Sequence, residues 1–432
     1  MSEFMVIILD NFIGISGSLL QYHNYEELTS TLQSLALNHS DLLTLYELSE
    51  KSEEGRSLWV VRISTDDNDT RADLKPMVKY IANMHGNEAV GRELMLLFID
   101  YLATTYKAQS NPEVTRLVDT TEIHILPSMN PDGFEKSIEG VCKGVRGRAN
   151  SKGLDLNRNF PNWDHVNLTQ AQLLDKRASE TRAVMNWILA NPFVLSINFH
   201  DGTVVANYPY DDSDGPPTGH KSVTDDDQVF IDLAQTYANH HATMHKGTGL
   251  CDNDNFPGGI TNGAEWYVVA GGMQDFNYLF SNCFEITVEL SCCKHPTPDN
   301  LMTEWENNRD SLVKYLLKVH QGLKGHVKDR QGRLIANATI HVEGIDKFVK
   351  SSSSGEYWRL LRPGQYQIYA QHKSWQSQVI NVTIDESSVQ EMDFIVDSHT
   401  RDGGESGAVL KSSSLWLLVL TLGLGRFELL ND

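Results

Sequence analysis

The sequence is short of cysteine, of positive charge and of long apolar runs. Five cysteines in 432 residues, Cys142, Cys251, Cys283, Cys292 and Cys293, are too few for a disulfide scaffold, and none forms the C-x-x-C pair of a structural zinc site. The odd number leaves at least one thiol unpaired. Adjacent Cys292 and Cys293 cannot bond each other without strain, so in an oxidising compartment one of them is expected to reach a distant cysteine, with the connectivity open. Lys and Arg number 36 against 57 Asp and Glu, and the net charge of −21 repels phosphate backbones. Nucleic acid is therefore not an expected partner, and cationic partners are favoured. Residues 415–425 are apolar but far shorter than the ~20 residues of a bilayer span, and Arg426 and Glu428 follow them. Near the other end, Glu3 and Asp10 break the pattern of a signal peptide. No transmembrane span is expected, and no repeat of solenoid or propeller period is present.

What is there is an ordinary globular composition, 40% hydrophobic and 22% charged, in a chain longer than the usual domain of about 100 to 200 residues. One large domain and a smaller one are expected. Apolar residues recur at helical spacing over 25–37, 88–106, 177–189, 223–241 and 299–321, and apolar or alternating runs at 57–63, 77–84, 122–127, 193–200 and 283–290 read as strands. Strands separated by helices predict an α/β domain with a mixed, largely parallel sheet flanked by helices. After Gly322 the texture changes to short β-type runs about ten residues apart, which predicts a small all-β sandwich. The expected division is an extension at 1–19, a catalytic domain at 20–321, a sandwich at 322–397 and a disordered tail at 398–432. Sequons stand at Asn38, Asn68, Asn167, Asn337 and Asn381.

A histidine and a glutamate three residues apart can share one metal when the turn between them is tight, because zinc takes nitrogen and oxygen ligands. The pattern occurs at His23/Glu26 and at His85/Glu88. His23 opens an amphipathic helix with no strand before it and is read as structural. His85 ends an apolar strand and Glu88 begins the next helix, at the carboxyl edge where open α/β sheets bind ligands. His200 ends another apolar strand and supplies a third ligand, whereas His124 sits inside a strand and is read as a core or supporting histidine. Two ligands close in sequence and one remote, with water in the fourth place, make a catalytic zinc arrangement. Glu289, at the end of a third strand, is the candidate general base, and Glu285, deeper in that strand on the same face, is read as structural. Arg148, Asn157 and Arg158 lie in one loop whose guanidinium groups suit carboxylate binding and oxyanion stabilisation.

The stretches HGNEAVGREL, PSMNPDGFE, GRANSKGLDLNRNFP, FHDGTVVANYPYDD, WYVVAGGMQDFNY and CFEITVELSCCKHP together resemble the zinc metallocarboxypeptidases, in the regulatory subfamily that includes carboxypeptidases D, E, M and N. The likeness runs over about residues 20–397, because that subfamily carries a transthyretin-like sandwich after its catalytic domain. The resemblance implies one Zn²⁺ held by His85, Glu88 and His200, with Glu289 as base and Arg148 polarising the scissile carbonyl. It implies that Asn157 and a buried Arg158 hold the substrate's terminal carboxylate, and that Tyr267 closes over bound substrate, with Tyr278 a decoy. It places Asp211 opposite the substrate's basic side chain with Gln274 lining the same pocket, while Asp212 and Asp214 are expected to be solvated. The implied activity is release of C-terminal Arg or Lys from peptides and proteins, by a monomer in the secretory pathway or outside the cell, with no inhibitory pro-segment.

One departure stands out. The subfamily pattern after the third ligand is His-Gly-Gly, and here it is His200-Asp201-Gly202. Asp201 is expected to face solvent or to hydrogen-bond behind the metal site. Two other functions compete with catalysis: a non-catalytic peptide-binding platform of the same fold, and a zinc amidohydrolase, which the presence of the Asn157/Arg158 clamp disfavours.

Overall fold

In the computed structural model, which describes residues 19–66, 71–213, 215, 219–252, 254–386 and 389–396, eight strands form one mixed sheet. They are β1 (Leu43–Glu47), β2 (Trp59–Ile63), β3 (Met77–Ala82), β4 (Glu122–Leu126), β5 (Phe193–His200), β6 (Val205–Tyr208), β7 (Ile260–Asn262) and β8 (Phe284–Glu289), in the order β1-β2-β4-β3-β5-β8-β6-β7. The central neighbours β4, β3, β5 and β8 run parallel, and antiparallel pairings join β1 to β2, β2 to β4 and β6 to β8. Strands β3, β5 and β8 are buried at every position, as strands covered on both faces must be.

The cover comes from the helices α1 (Tyr25–Asn38), α2 (Val90–Ala108), α3 (Pro112–Thr120), α4 (Ser179–Ala190), α5 (Asp227–His240), α6 (Met273–Phe280) and α7 (Leu301–Leu317). Side chains alternate along β3: Val78, Tyr80 and Ala82 join a cluster built with α1, α2, α3, α5 and α7, whereas Met77 and Ile81 join one built with α4 and α6. Between these layers sits a charged row. Lys79, Ser196 and Glu285 are cross-strand neighbours on β3, β5 and β8, and the Lys79 ammonium reaches Ser196 Oγ at 2.7 Å and Glu285 at 2.8 Å with no exposure at all. Glu285 is thus held as a structural pair, and removing one partner would cost about 3–5 kcal/mol.

The strands β1, β6 and β7 lie outside the sequence reading. β6 and β7 are four and three residues long, and β1 is a partly exposed edge without a clean alternation, so periodicity gives them little signal. The last long helix stops at Leu317, and a single tight turn follows.

From Leu323 the chain builds two smaller sheets, β11-β10-β13-β14 with β15 on β13, and β12-β9-β16 with β17 on β9. Their strands are β9 (Leu323–Lys328), β10 (Thr339–Val342), β11 (Ile345–Lys350), β12 (Glu356–Arg359), β13 (Gly364–His372), β14 (Trp375–Gln376), β15 (Ile380–Ile384), β16 (Gln390–Glu391) and β17 (Phe394–Ile395). Val327, Ile340, Val349, Leu361, Ile368 and Phe394 fill the space between them. The expected tail at 398–432, most of the expected extension, Asn68 and Asp214 lie outside the described residues.

Candidate active site

Three neighbouring parallel strands deliver the first site residues at their carboxyl ends. Ala82 of β3 pairs with Phe199 of β5, and His200 pairs with Glu289 of β8, so the three ends are level. His85 stands three residues after the end of β3, a turn closed by the Glu88 N–H on the His85 carbonyl (3.0 Å) brings the two side chains together, and α2 begins at Val90.

Nδ1 of His200 lies 2.7 Å and Nδ1 of His85 2.9 Å from Glu88 Oε2, and the two ring nitrogens are 3.1 Å apart. Among the described residues these three form the group whose ligand atoms fall within 4.8 Å of one another. Two nitrogens and a carboxylate oxygen are a donor set that zinc accepts. The far edges of both rings are also provided for. His85 Nε2 meets Asp155 Oδ1 at 2.9 Å, and His200 Nε2 meets the amide nitrogen of Asn198 at 2.8 Å, while the buried Asn198 oxygen has no partner. A ring that gives Nδ1 to a metal carries its proton on Nε2; Asp155 is an acceptor for it at His85, and exchanging the amide oxygen and nitrogen of Asn198 supplies one at His200 and pairs that oxygen. Burial works against charge on His85, but Glu88 and Asp155 outweigh it and raise its pKa, whereas burial wins at His200 and lowers its pKa to about 4.

Glu289 borders the same cleft, a cavity of about 250 Å³. Burial and then the charge of Glu88 push its pKa up to about 8, with Lys294 pulling the other way. Arg148 reaches in from the opposite loop: Nη1 contacts Glu88 Oε1 at 3.1 Å, while Nε and Nη2 contact Asp155 Oδ2 at 3.1 and 3.0 Å. Asn157 is held by its N–H on Asp155 Oδ1 (2.9 Å) and by the Met273 N–H on its side-chain oxygen (3.1 Å), which leaves its NH₂ to donate elsewhere. Arg158 lines the cleft but is exposed, not buried as expected; its Nη1 donates to the Asn157 carbonyl at 2.9 Å. Tyr267 also lines the cleft and is 39% exposed, whereas Tyr278 is buried with its hydroxyl donated to Asp226 Oδ2 at 2.9 Å.

Asp211 is buried to 3% exposure at the cleft wall. Its Oδ1 accepts from Asn207 Nδ2 at 2.8 Å and from Gln274 Nε2 at 3.1 Å. Its backbone N–H is bound by both oxygens of Asp275, at 2.9 and 3.1 Å. Burial raises its pKa to about 6, against the lowering by Asn207 and Arg158. Gly263 packs so closely that a Cβ there would come within 1.9 Å of Asp211 Oδ1. Gln274 stands behind Asp211 and does not itself line the cleft, which corrects the expectation that it borders the pocket.

One further expectation changes. Asp212 is not solvated: it is buried and accepts from the Asn162 amide and the Trp163 indole N–H, each at 3.0 Å. Asp201 takes the second of its two expected places: it is buried, and Oδ2 accepts from the Val90 N–H at 3.0 Å, at the first turn of α2. The departure from His-Gly-Gly is tolerated because only the second position needs glycine. Gly202 has φ +143° while Asp201 is not among the positive-φ residues. His23 bonds Glu93 and His124 bonds Tyr46 and Glu122, so neither joins the metal group.

Sequence reasoning missed Asp155 and Lys294. Asp155 stands two residues before Asn157 and links His85 to Arg148; a carboxylate in a loop of candidate ligands is the signal that could have found it. Lys294 Nζ bonds Glu88 and, at 3.1 Å, the Asp201 carbonyl. It is placed by two disulfides, Cys142–Cys293 and Cys251–Cys292, that tie distant loops to the segment after β8 and leave Cys283 as the buried free thiol.

Comparison with known proteins agrees with this arrangement. Residues 28–311 match the zinc carboxypeptidase family model, and residues 322–397 match that of the carboxypeptidase regulatory-like domain. Carboxypeptidase D of Rattus norvegicus is 46% identical over 391 residues, 89% of this chain, although the chain spans only 28% of that relative's length. Carboxypeptidase M of Mus musculus is 43% identical over 84% of this chain and 78% of its own. Among solved structures, thrombin-activatable fibrinolysis inhibitor aligns with a TM-score of 0.56 at 20% identity, over 70% of this chain and 75% of that one, a likeness of fold. With the metal-ligand group at the ends of two central strands, Glu289 at the end of a third, and a family model matched across the whole first sheet, this chain belongs to the zinc carboxypeptidase family.

Proposed function

We propose that the chain is a metallocarboxypeptidase that hydrolyses the last peptide bond of peptides and proteins ending in Arg or Lys. The observation that supports this reading is the shared cleft: His85, Glu88 and His200 border the same cavity as Glu289, Arg148 and the buried carboxylate of Asp211. His85, Glu88 and His200 would hold one Zn²⁺, which when bound supplies a Lewis acid that makes water nucleophilic near neutral pH. Glu289 accepts the proton of the attacking water and delivers it to the departing amine. Arg148 donates to the scissile carbonyl oxygen as negative charge develops there. The NH₂ of Asn157 and the guanidinium of Arg158 hold the terminal carboxylate, which restricts cleavage to the chain end. Tyr267, exposed at the cleft, covers the bound residue. Asp211, backed by Gln274, pairs with a guanidinium or ammonium group.

The two disulfides favour the secretory pathway or extracellular space, and the described sequons Asn38, Asn167, Asn337 and Asn381 are all exposed. A monomer suffices, since one chain supplies every group named. Among the described residues no helix is long and apolar enough to cross a membrane. The test is steady-state cleavage of N-blocked dipeptides ending in Arg, Lys, Phe or Glu, with and without a zinc chelator. Chelator-sensitive release of Arg and Lys alone supports the reading. Preference for Phe sinks the role of Asp211, and no cleavage by zinc-loaded protein favours the binding platform.

A further inference from the structure

The geometry points to the β-sandwich as a working part of the specificity pocket: Lys347 and Arg359 are positioning residues that hold helix α6, and through it Asp211, in place. This rests on the reading of Asp211 as the anchor of the substrate's basic side chain.

Helix α6 has two differently held ends. Its first turn belongs to the pocket. Gln274 donates to Asp211 Oδ1, and Asp275 accepts from the N–H groups of Asp211 and of Asp212, the latter at 2.8 Å, so both the carboxylate and the backbone that carries it are set by two adjacent residues of α6. The Met273 N–H on Asn157 ties the same turn to the loop of the carboxylate clamp.

The other end belongs to the sandwich. Helix carbonyls in the last turn lack intrahelical partners and carry partial negative charge. Lys347, on β11, supplies the missing donor: its ammonium bonds the Tyr278 carbonyl and, at 3.1 Å, that of Ser281, and lies 4.6 Å from the centre of the Tyr278 ring. At the end of β11, Lys350 exchanges two backbone bonds with the side chain of Asn282, at 2.8 and 2.9 Å. From the other sheet of the sandwich, Arg359 reaches Asp226 Oδ1 at 2.8 Å, both side chains without exposure, and Asp226 Oδ2 in turn receives the Tyr278 hydroxyl at 2.9 Å. The Tyr278 ring meets Tyr210, the neighbour of Asp211, edge-on at 5.7 Å.

A helix of eight residues is about 12 Å long, so what grips one end fixes the other with little slack. The partners Lys347 and Arg359 come from the sandwich, and the groups they fix lead, by bonded or packed contacts, to the one carboxylate that selects the substrate. Another contact between the sandwich and the rest of the chain provides a control. Arg71 pairs with Glu356 and bonds the Lys75 carbonyl, touching neither α6 nor Asp226.

The experiment uses the full chain loaded with zinc and compares Lys347→Met, Tyr278→Phe and Arg71→Met, each first shown to be folded and zinc-replete at the assay temperature. Tyr278→Phe keeps the ring and removes only the bond to Asp226, so it remains informative if Lys347→Met folds poorly. Steady-state constants are measured on matched peptides ending in Arg and in Ala. A displacement of about 1 Å at Asp211 is expected to lower kcat/KM for the Arg peptide roughly tenfold or more, through KM, with the Ala peptide unchanged. Arg71→Met is expected to lower only the melting temperature. The inference is overturned if Lys347→Met and Tyr278→Phe lower the melting temperature yet keep the wild-type ratio of Arg to Ala cleavage, or if Arg71→Met shifts that ratio equally. A wild-type enzyme without preference for Arg ends the reading of Asp211 itself, before any variant is compared.

Discussion

Replacing Asp211 by Asn separates what the carboxylate does for substrate from what it does to the fold. Oδ1 is already occupied by the Asn207 and Gln274 side chains, so the isosteric amide keeps its oxygen there and turns its NH₂ toward the position of Oδ2. A substrate guanidinium then meets a donor where it had an acceptor, and its charge is buried without a partner. Breaking a buried, hydrogen-bonded charge pair costs about 3–4 kcal/mol, a loss of roughly 10² to 10³ in kcat/KM for Arg-terminated peptides. Peptides ending in a neutral residue should change little. The effect on stability has the opposite sign. The rise of the Asp211 pKa from its ordinary 3.8 to about 6 corresponds to about 3 kcal/mol held against the ionised form in the free protein. Because the folded pKa is raised, the fold is favoured by protonation: stability falls as pH rises from about 4 to 6, and the full penalty is present above. Asp211→Asn should therefore be more stable than wild type at pH 8 and no more stable at pH 4, by denaturant titration at each pH. Loss of Arg cleavage with equal loss of Ala cleavage, or lower stability at pH 8, would refute this account of the site.

Four further outcomes are expected. Glu289→Gln should lower kcat by about 10³ while retaining zinc and binding of free arginine, measured by calorimetry, since it removes the proton acceptor and little else. For wild type, the ratio of Arg to Ala cleavage should climb as pH rises through about 6, the free-enzyme value for Asp211, because only the ionised carboxylate pairs with the cation; a flat ratio between pH 5 and 8 contradicts the assignment. Thiol titration after denaturation without reductant should find one reactive cysteine, Cys283, and reduction should cost stability, about 4–5 kcal/mol for the bridge whose ends are 151 residues apart. Asp201→Asn should keep the acceptor for the Val90 N–H and cost little, whereas Asp201→Gly should lose about 1 kcal/mol, read from melting curves.

Much of the fold was legible because its central strands carry continuous or alternating apolar residues and the helices between them carry a period that strands cannot imitate. The runs at 77–84, 193–200 and 283–290 needed no tertiary knowledge, and their shared endings in chemical residues placed His85, His200 and Glu289 at one edge of the sheet. What the pattern could not show was order. That β8 lies beside β5, with Glu289 level with His200, is a fact of pairing between segments 84 residues apart, and neither run names its neighbour. The short strands β6 and β7 were invisible for the converse reason: β6 exists because β8 offers it a partner, and β7 because β6 does.

The site shows the same division between what a residue is and what holds it. Residue type and position at a strand end pointed to metal ligands and a base, but exposure and support are properties of the assembled loops. Asp212 looks like a turn residue in NYPYDD, and only the arrival of Asn162 and Trp163 from another loop makes its burial affordable. Arg158, in its proposed role of binding a carboxylate, looks as if it should be buried, yet a cleft open to arriving chain ends would have to leave that guanidinium exposed. Asp201 differs in kind: the sequence flagged it as a departure and left solvent exposure and hydrogen bonding behind the metal site both open, and its carboxylate accepts from the N–H of Val90, two residues beyond Glu88. In this protein the third-ligand strand and the helix that follows the first two ligands are thus joined by a side chain as well as by the site they share.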